Sequence, residues 1–232
     1  MNERKSILKA AFPRTIPVLT GYLFLGLTYG IFMSSKGFSF LYPMLISVVV
    51  FAGSMQFVLV NVLLGAFNPL GALLLTLMVN ARHLFYGAGM LEKYRDLGPS
   101  RWYMIFGLTD ETFSINVSAE PPPGMDRGRF MFYITLLDQC YWVAGATLGG
   151  LVGAAIKFDS SGIDFVMTAL FVVIFLDQWL TGKGHASALI GVAASALCLF
   201  SFGSGNFILP AMALILVLLI ALRKPLDRER LP

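Results

Sequence analysis

The feature that most constrains this chain is a succession of apolar runs, each about as long as a bilayer is thick, separated by only a few polar residues. A hydrocarbon core of about 30 Å needs roughly 20 apolar residues per helix. On that scale the sequence reads as eight hydrophobic segments, at 13–34, 41–66, 69–90, 101–118, 129–155, 162–181, 185–202 and 205–223. Turn chemistry marks the joints: Lys36-Gly37, Asn68-Pro69, Gly98-Pro99, Pro121-Pro122-Pro123-Gly124, Ser161-Gly162, Gly182-Lys183-Gly184 and Gly203-Ser204-Gly205. Charged residues make up 13% of the chain, about half the share a soluble domain uses to cover its surface. The mean hydropathy is +0.76. A β-barrel would show short alternating segments, whereas these runs are long and unbroken. The expected fold is therefore an all-α polytopic membrane protein with about eight hydrophobic helices. It reads as a single transmembrane domain over 1–232, with a basic N-tail 1–12, a helical bundle 13–223 and a basic C-tail 224–232.

The net charge of +4 does not point to nucleic acid, because the charges lie mainly in tails and loops, where they act as topology signals. Arg4, Lys5, Lys9 and Arg14 at one end, and Arg223, Lys224, Arg228 and Arg230 at the other, draw both tails to the cytoplasm. An even number of crossings satisfies that, but then the loop with Lys93, Arg95 and Arg101 faces outside. Breaking segments 41–66 and 101–118, or making them re-entrant, repairs the conflict and leaves six full crossings. Gly53-Ser54 interrupts the first of these, and Thr109-Asp110-Glu111-Thr112 lies at the middle of the second. The N-terminal apolar stretch is too long for a signal peptide and lacks a small-x-small cleavage site. The stretch from Gly30 to Phe57 also echoes Gly149 to Trp179, the pattern of an internal repeat. Cys140 and Cys198 lie singly in apolar runs and read as packing residues.

Charge at the bilayer centre costs at least about 2.5–3.5 kcal/mol on insertion scales, so polar residues inside the spans call for a reason. Four clusters stand out. In Phe51-Ala52-Gly53-Ser54-Met55-Gln56-Phe57, Gly53 and Ser54 can open a helix and Gln56 adds a donor and an acceptor; ordinary packing around small residues is the competing account. In Asn80-Ala81-Arg82-His83, a continuous helix puts Asn80 and His83 on one face and Arg82 one turn before Tyr86. Arg82 suits a bidentate grip on a carboxylate, or snorkels to the interface. Asp110 and Glu111 are adjacent carboxylates in an apolar window; desolvation disfavours their charged forms and suits them to carrying protons. If the segment does not span, they occupy a wet turn. Asp138, with Gln139, lies well inside its span and is either functional or a salt-bridge partner of Arg82, whereas Asp177, Lys183 and His185 belong to the interface or loops.

Enzyme classes fare badly. Two histidines and two apolar cysteines give no nucleophile–base arrangement, and no phosphate loop or ATPase signature appears. No cofactor or metal site is expected. A channel would show a carbonyl filter or a charged ring, and neither is visible. What remains is a secondary transporter, or a scaffold whose buried charges only lock helices together.

Taken in order, Phe51-Ala52-Gly53-Ser54-Met55-Gln56-Phe57, Asn80-Ala81-Arg82-His83-Leu84-Phe85-Tyr86-Gly87, Leu108-Thr109-Asp110-Glu111-Thr112-Phe113 and Leu137-Asp138-Gln139 with Trp142 resemble the AzlC family. These are large subunits of branched-chain amino-acid exporters of the azaleucine-resistance type. The resemblance runs from about Ala11 to Leu222, and its second half is less distinctive. It implies a permease of the bacterial cytoplasmic membrane working with a small hydrophobic AzlD-type subunit on valine, leucine, isoleucine and methionine. With it, Gly53, Ser54, Gln56, Asn80, Arg82 and Asp110 become the expected substrate-binding set, and Asp110, Glu111, Asp138 and His83 the proton-coupling set. Arg82 would meet the α-carboxylate, Asp110 or Asp138 the ammonium, and Phe and Met side chains the branched tail. The same design serves another small zwitterion or an organic acid.

Overall fold

A computed structural model describes residues 3–155, positions 172, 175, 176, 179 and 180, and residues 185–222. Asp177, Gln178, Lys183, most of segment 162–181 and the tail 224–232 fall outside the described residues, as does much of the second half of the internal echo. The chain divides into two units, one within residues 1–164 and one within 165–232.

Among the described residues every regular element is a helix. The first unit holds α1 (Glu3–Ser35), α2 (Leu41–Val49), α3 (Gly53–Leu64), α4 (Pro69–Val79), α5 (Arg82–Tyr94), α6 (Ser100–Phe106), α7 (Asp110–Ser118) and α8 (Arg127–Ala155). The second holds α9 (Ala186–Asn206) and α10 (Ile208–Ala221).

α1 starts at Glu3, so the basic tail expected over 1–12 is mostly the opening of the first helix. The reason is a buried stripe that begins before the apolar run does. Ile7, Ala11, Thr15, Val18 and Tyr22 recur at three- and four-residue spacing and are all buried, while Arg4, Lys5, Lys9 and Arg14 point outward. Ile7 and Ala11 pack with Ala119, Phe130 and Ile134. Further along, α1 lies against α8 through facing small residues. A Cβ on Gly30 would overlap the Ala146 carbonyl, and one on Gly149 would overlap the Leu27 carbonyl. Gly26 and Gly30, four apart, thus meet Gly145, Ala146 and Gly149, the close backbone approach that small residues permit between membrane helices.

Three of the segments expected as single runs are broken. Segment 41–66 divides into α2 and α3 at residues 50–52, segment 69–90 into α4 and α5 at 80–81, and segment 101–118 into α6 and α7 at 107–109. The first and third match the broken alternative; the second was expected to be continuous. At the first break Phe51 has φ of 43°, an uncommon left-handed conformation for a bulky residue. Its buried ring, edge-on to Tyr22 at 6.3 Å, holds it there. At the second, Asn80 closes α4 and its backbone carbonyl takes the His83 N–H at 2.9 Å. α3 and α4, with 12 and 11 residues, are about 16–18 Å long, roughly half of a hydrocarbon core.

In the second unit, α9 and α10 pack together, and α9 kinks at Gly203, whose φ is 72°. The turn expected at Gly203 is thus a bend within the element. Residues Arg4–Ser35 and Ala186–Gly203 are long and apolar enough to cross a membrane. Apolar side chains point outward along both units, Phe24, Leu70, Leu77 and Leu197 among them. That is the surface lipid tolerates and water does not.

Candidate functional site

The three breaks converge. Arg82 is the first residue of α5, Ser54 the second of α3 and Asp110 the first of α7. The Arg82 Nη2 donates to Ser54 Oγ at 3.1 Å, and its Nε lies 3.1 Å from Asp110 Oδ1. One guanidinium therefore ties together the N-terminal ends of three short helices. The Arg82 and Asp110 side chains are 36% and 38% exposed, so the pair faces a cavity or surface. Charges meet between Nε and Oδ1, but the N–H is not aimed at the oxygen, and both atoms keep unused hydrogen-bonding capacity. Asp110 and Glu111 occupy the first turn of α7, behind the Thr109 N-cap whose Oγ1 accepts from the Thr112 N–H at 3.3 Å. They are not at the middle of a continuous span. The orphan N–H groups and positive dipole end of α7 account for acids at that position. At the other end of α7 the Lys93 ammonium donates to the Asn116 carbonyl at 3.5 Å and to the Val117 carbonyl. This cation, expected as part of a topology-setting loop, lies on α5 and neutralises the C-terminus of α7.

Asp138 is buried on α8, and its Oδ2 accepts from Thr112 Oγ1 at 2.8 Å. The salt bridge considered between Arg82 and Asp138 is not formed; Arg82, the first residue after the break at 80–81, reaches Asp110 at the start of α7 instead. Asp138 belongs to a separate chain of oxygens. Glu111 Oε2 lies 2.7 Å from Tyr22 OH, Tyr22 OH 2.7 Å from Thr109 Oγ1, and Thr109 Oγ1 3.0 Å from Thr112 Oγ1.

Gln56 is fully buried. Trp142 Nε1 donates to its Oε1 at 2.8 Å, and its Nε2 donates to Ser47 Oγ at 3.0 Å. The amide so braces the α2–α3 break against α8. Gln139 does the same from the next residue group, donating to the Val48 carbonyl at 3.0 Å while accepting from Tyr103 OH at 2.6 Å. Gly53 lies against the Trp142 indole, where a Cβ would come within 3.2 Å. His83 and Asn80 do not share a helix face as expected. The His83 Nδ1 is 3.1 Å from the Asn80 carbonyl, its ring is edge-on to Tyr86 at 5.6 Å, and no hydrogen bond or ion pair joins it to the three carboxylates among the described residues. Tyr86 in turn stacks on Phe113 at 4.6 Å, placing an aromatic wall one turn from Arg82.

Of the expected residues, the structure groups Ser54, Arg82 and Asp110 in one place and Glu111 and Asp138 in another. It buries Gln56 between Trp142 and Ser47 and ties His83 to the Asn80 break. Tyr22, Ser47, Tyr103 and the hydroxyls of Thr109 and Thr112 are additions. A buried tyrosine usually places its hydroxyl on a partner, and that was the available signal.

A polar crossroads of broken helices inside an apolar bundle is a transporter-like arrangement, and the sequence comparisons agree. The AzlC protein family model matches residues 17–156, more than half of the chain. The chain belongs to the AzlC family. It is 57% identical over 231 residues to the branched-chain amino acid transport protein AzlC of Bacillus subtilis, covering 98% of this chain and 91% of that protein. It is 45% identical to an uncharacterized membrane protein of Haemophilus influenzae, over 88% of this chain and 84% of that one. The inner membrane protein YgaZ of Escherichia coli is 26% identical over 81% of this chain and 80% of its own length. No solved structure matches. The matched region spans α8 and the site, and every site residue named above lies within it. This AzlC-family chain is thus a membrane protein, helical throughout its described regular elements, whose relatives include a named amino-acid transporter.

Proposed function

We propose that this AzlC-family protein is a secondary transporter that exports branched-chain amino acids (valine, leucine, isoleucine and methionine) across the bacterial cytoplasmic membrane, coupled to protons and partnered by a small hydrophobic AzlD-type subunit. The observation that carries this reading is the convergence of the α3, α5 and α7 N-termini on the Arg82–Asp110 pair. Half-helix N-termini present unpaired N–H groups and positive dipole ends, which suit the carboxylate of an amino acid. Arg82 adds a forked donor for the same group, and Asp110 supplies the counter-charge for the ammonium. A zwitterion entering between them exchanges one poorly aimed internal contact for two charge-assisted ones. Tyr86 and Phe113 border the apolar tail. The relative's name supports the substrate class, and the carboxylates Glu111 and Asp138 support protons as the driving ion.

Valine efflux from cells loaded with a valine dipeptide is the direct test. Asp110→Asn and Arg82→Ala should each cut efflux at least about tenfold, the loss of one charge-assisted contact. Equal membrane levels with wild-type efflux would overturn the site. Substitution at Gln56 should instead reduce the amount of folded protein.

A further inference from the structure

We propose that Glu111 and Asp138 hold a single proton between them and pass it through the hydroxyls of Tyr22, Thr109 and Thr112. The case is a count of hydrogens. Five groups make four oxygen–oxygen contacts in series: Glu111–Tyr22 at 2.7 Å, Tyr22–Thr109 at 2.7 Å, Thr109–Thr112 at 3.0 Å and Thr112–Asp138 at 2.8 Å. Each contact at such a distance needs one hydrogen between its oxygens. The three hydroxyls supply one each. With both carboxylates ionised, four contacts share three hydrogens, and one pair of oxygens meets lone pair to lone pair in a buried site. One added proton closes the set.

Two arrangements then satisfy every contact. In the first, the carboxyl of Asp138 donates to Thr112, Thr112 to Thr109, Thr109 to Tyr22, and Tyr22 to the Glu111 carboxylate. In the second the direction is reversed throughout. Interconversion breaks one O–H bond at Asp138 and forms one at Glu111, while each hydroxyl loses one proton and gains another. No co-reactant is needed. The Thr112 N–H, 3.3 Å from Thr109 Oγ1, occupies the second acceptor position of that oxygen in both arrangements and holds it in line.

Burial explains why the proton stays. Tyr22, Thr109, Thr112 and Asp138 are all buried, and Asp138 Oδ1 has no hydrogen-bond partner among the described residues. An ionised carboxylate with an unpartnered buried oxygen is costly, and a neutral one much less so. Glu111, by contrast, is half-buried and adjoins Asp110 of the substrate pair. The relay therefore runs from a closed end on α8 to a more open end beside the binding site. Other titratable groups in electrostatic reach of its members are Tyr86 on α5, Tyr103 on α6 and Tyr141 on α8, with Asp110 beside Glu111 on α7.

The first test is infrared difference spectroscopy of the purified full chain at neutral pH, which rests on no assumption about transport. The C=O stretch of one protonated carboxyl should disappear in Asp138→Asn and equally in Glu111→Gln, because an amide at either end donates the missing hydrogen and leaves the other carboxylate ionised. Persistence of that band in Glu111→Gln would mean that Asp138 holds its proton alone and would overturn the sharing; so would a band unchanged in both variants. The second test rests on the transport reading above. Thr112→Val, which removes a hydroxyl but keeps shape, should lower proton-driven valine efflux tenfold or more, and Thr112→Ser should restore it. Efflux intact in Thr112→Val, or unrestored in Thr112→Ser, overturns the relay. A wild-type protein that moves no amino acid overturns the transport reading and leaves the spectral result standing.

Discussion

A handful of polar side chains decides what each broken helix can do, and their roles separate cleanly by partner. Gln56 is fully buried and makes one hydrogen bond to Trp142 and one to Ser47. Trp142→Phe keeps the ring against Tyr22 but removes the donor to Gln56, leaving a buried carbonyl oxygen unpaired. It should cost about 1–3 kcal/mol, seen as a lower unfolding midpoint in detergent with efflux per folded molecule preserved. Arg82 is the opposite case. Its side chain is 36% exposed and its N–H is poorly aimed at Asp110, so its removal should cut efflux per folded molecule at least about tenfold. The residue types were readable as polar outliers in apolar runs, and Arg82, Asp110, Glu111 and Asp138 all proved to lie in polar contacts. Which partner each outlier meets depended on residues far away in sequence, 26 positions for Thr112 with Asp138 and 89 for Tyr22 with Glu111.

Elements divide into long helices that pack and short ones that stop. α1 and α8 approach through Gly26, Gly30, Gly145 and Gly149, with no room for a Cβ at Gly30 or Gly149. Gly149→Leu should separate the two helices and remove the support on which Tyr22 and Asp138 meet α7. Overpacking of this kind costs about 1–3 kcal/mol or more; the check is the fraction of monodisperse protein in size-exclusion chromatography, with Gly21→Leu, which meets open space, as the tolerated control. The short helices were less legible. Gly53-Ser54 signalled one break and the acidic pair another, because glycine and N-terminal acids have local reasons to end or begin a helix. The break at 80–81 carries no glycine or proline, so periodicity predicted a continuous helix through it. Tertiary contacts of Arg82 with α3 and α7 accompany that break instead.

For the whole molecule, the proposed exporter draws on a gradient rather than on a bound nucleotide. A protonophore should therefore collapse valine efflux to the passive rate within the time of uncoupling, and dissipating membrane potential alone should do less; efflux indifferent to both would overturn proton coupling. The positive-inside rule, applied to the charge pattern, leads us to propose that both tails lie in the cytoplasm. Single cysteines introduced near Asn2 and Arg230, in a background lacking Cys140 and Cys198, should resist a membrane-impermeant thiol reagent in intact cells and react after permeabilisation.

By itself the sequence determined the class of solvent this chain requires, the helical backbone that such a solvent enforces, and the short set of residues too polar to be accidental there. Those are consequences of local composition: a run of apolar residues must be helical in lipid because every backbone group must find its partner within the segment. The tertiary structure alone decided that the segment at 69–90 stops midway, that Arg82 pairs with Asp110 and not Asp138, and that two carboxylates are joined through three hydroxyls. Those are consequences of which helix faces meet, and a face is chosen by packing between residues far apart in the chain.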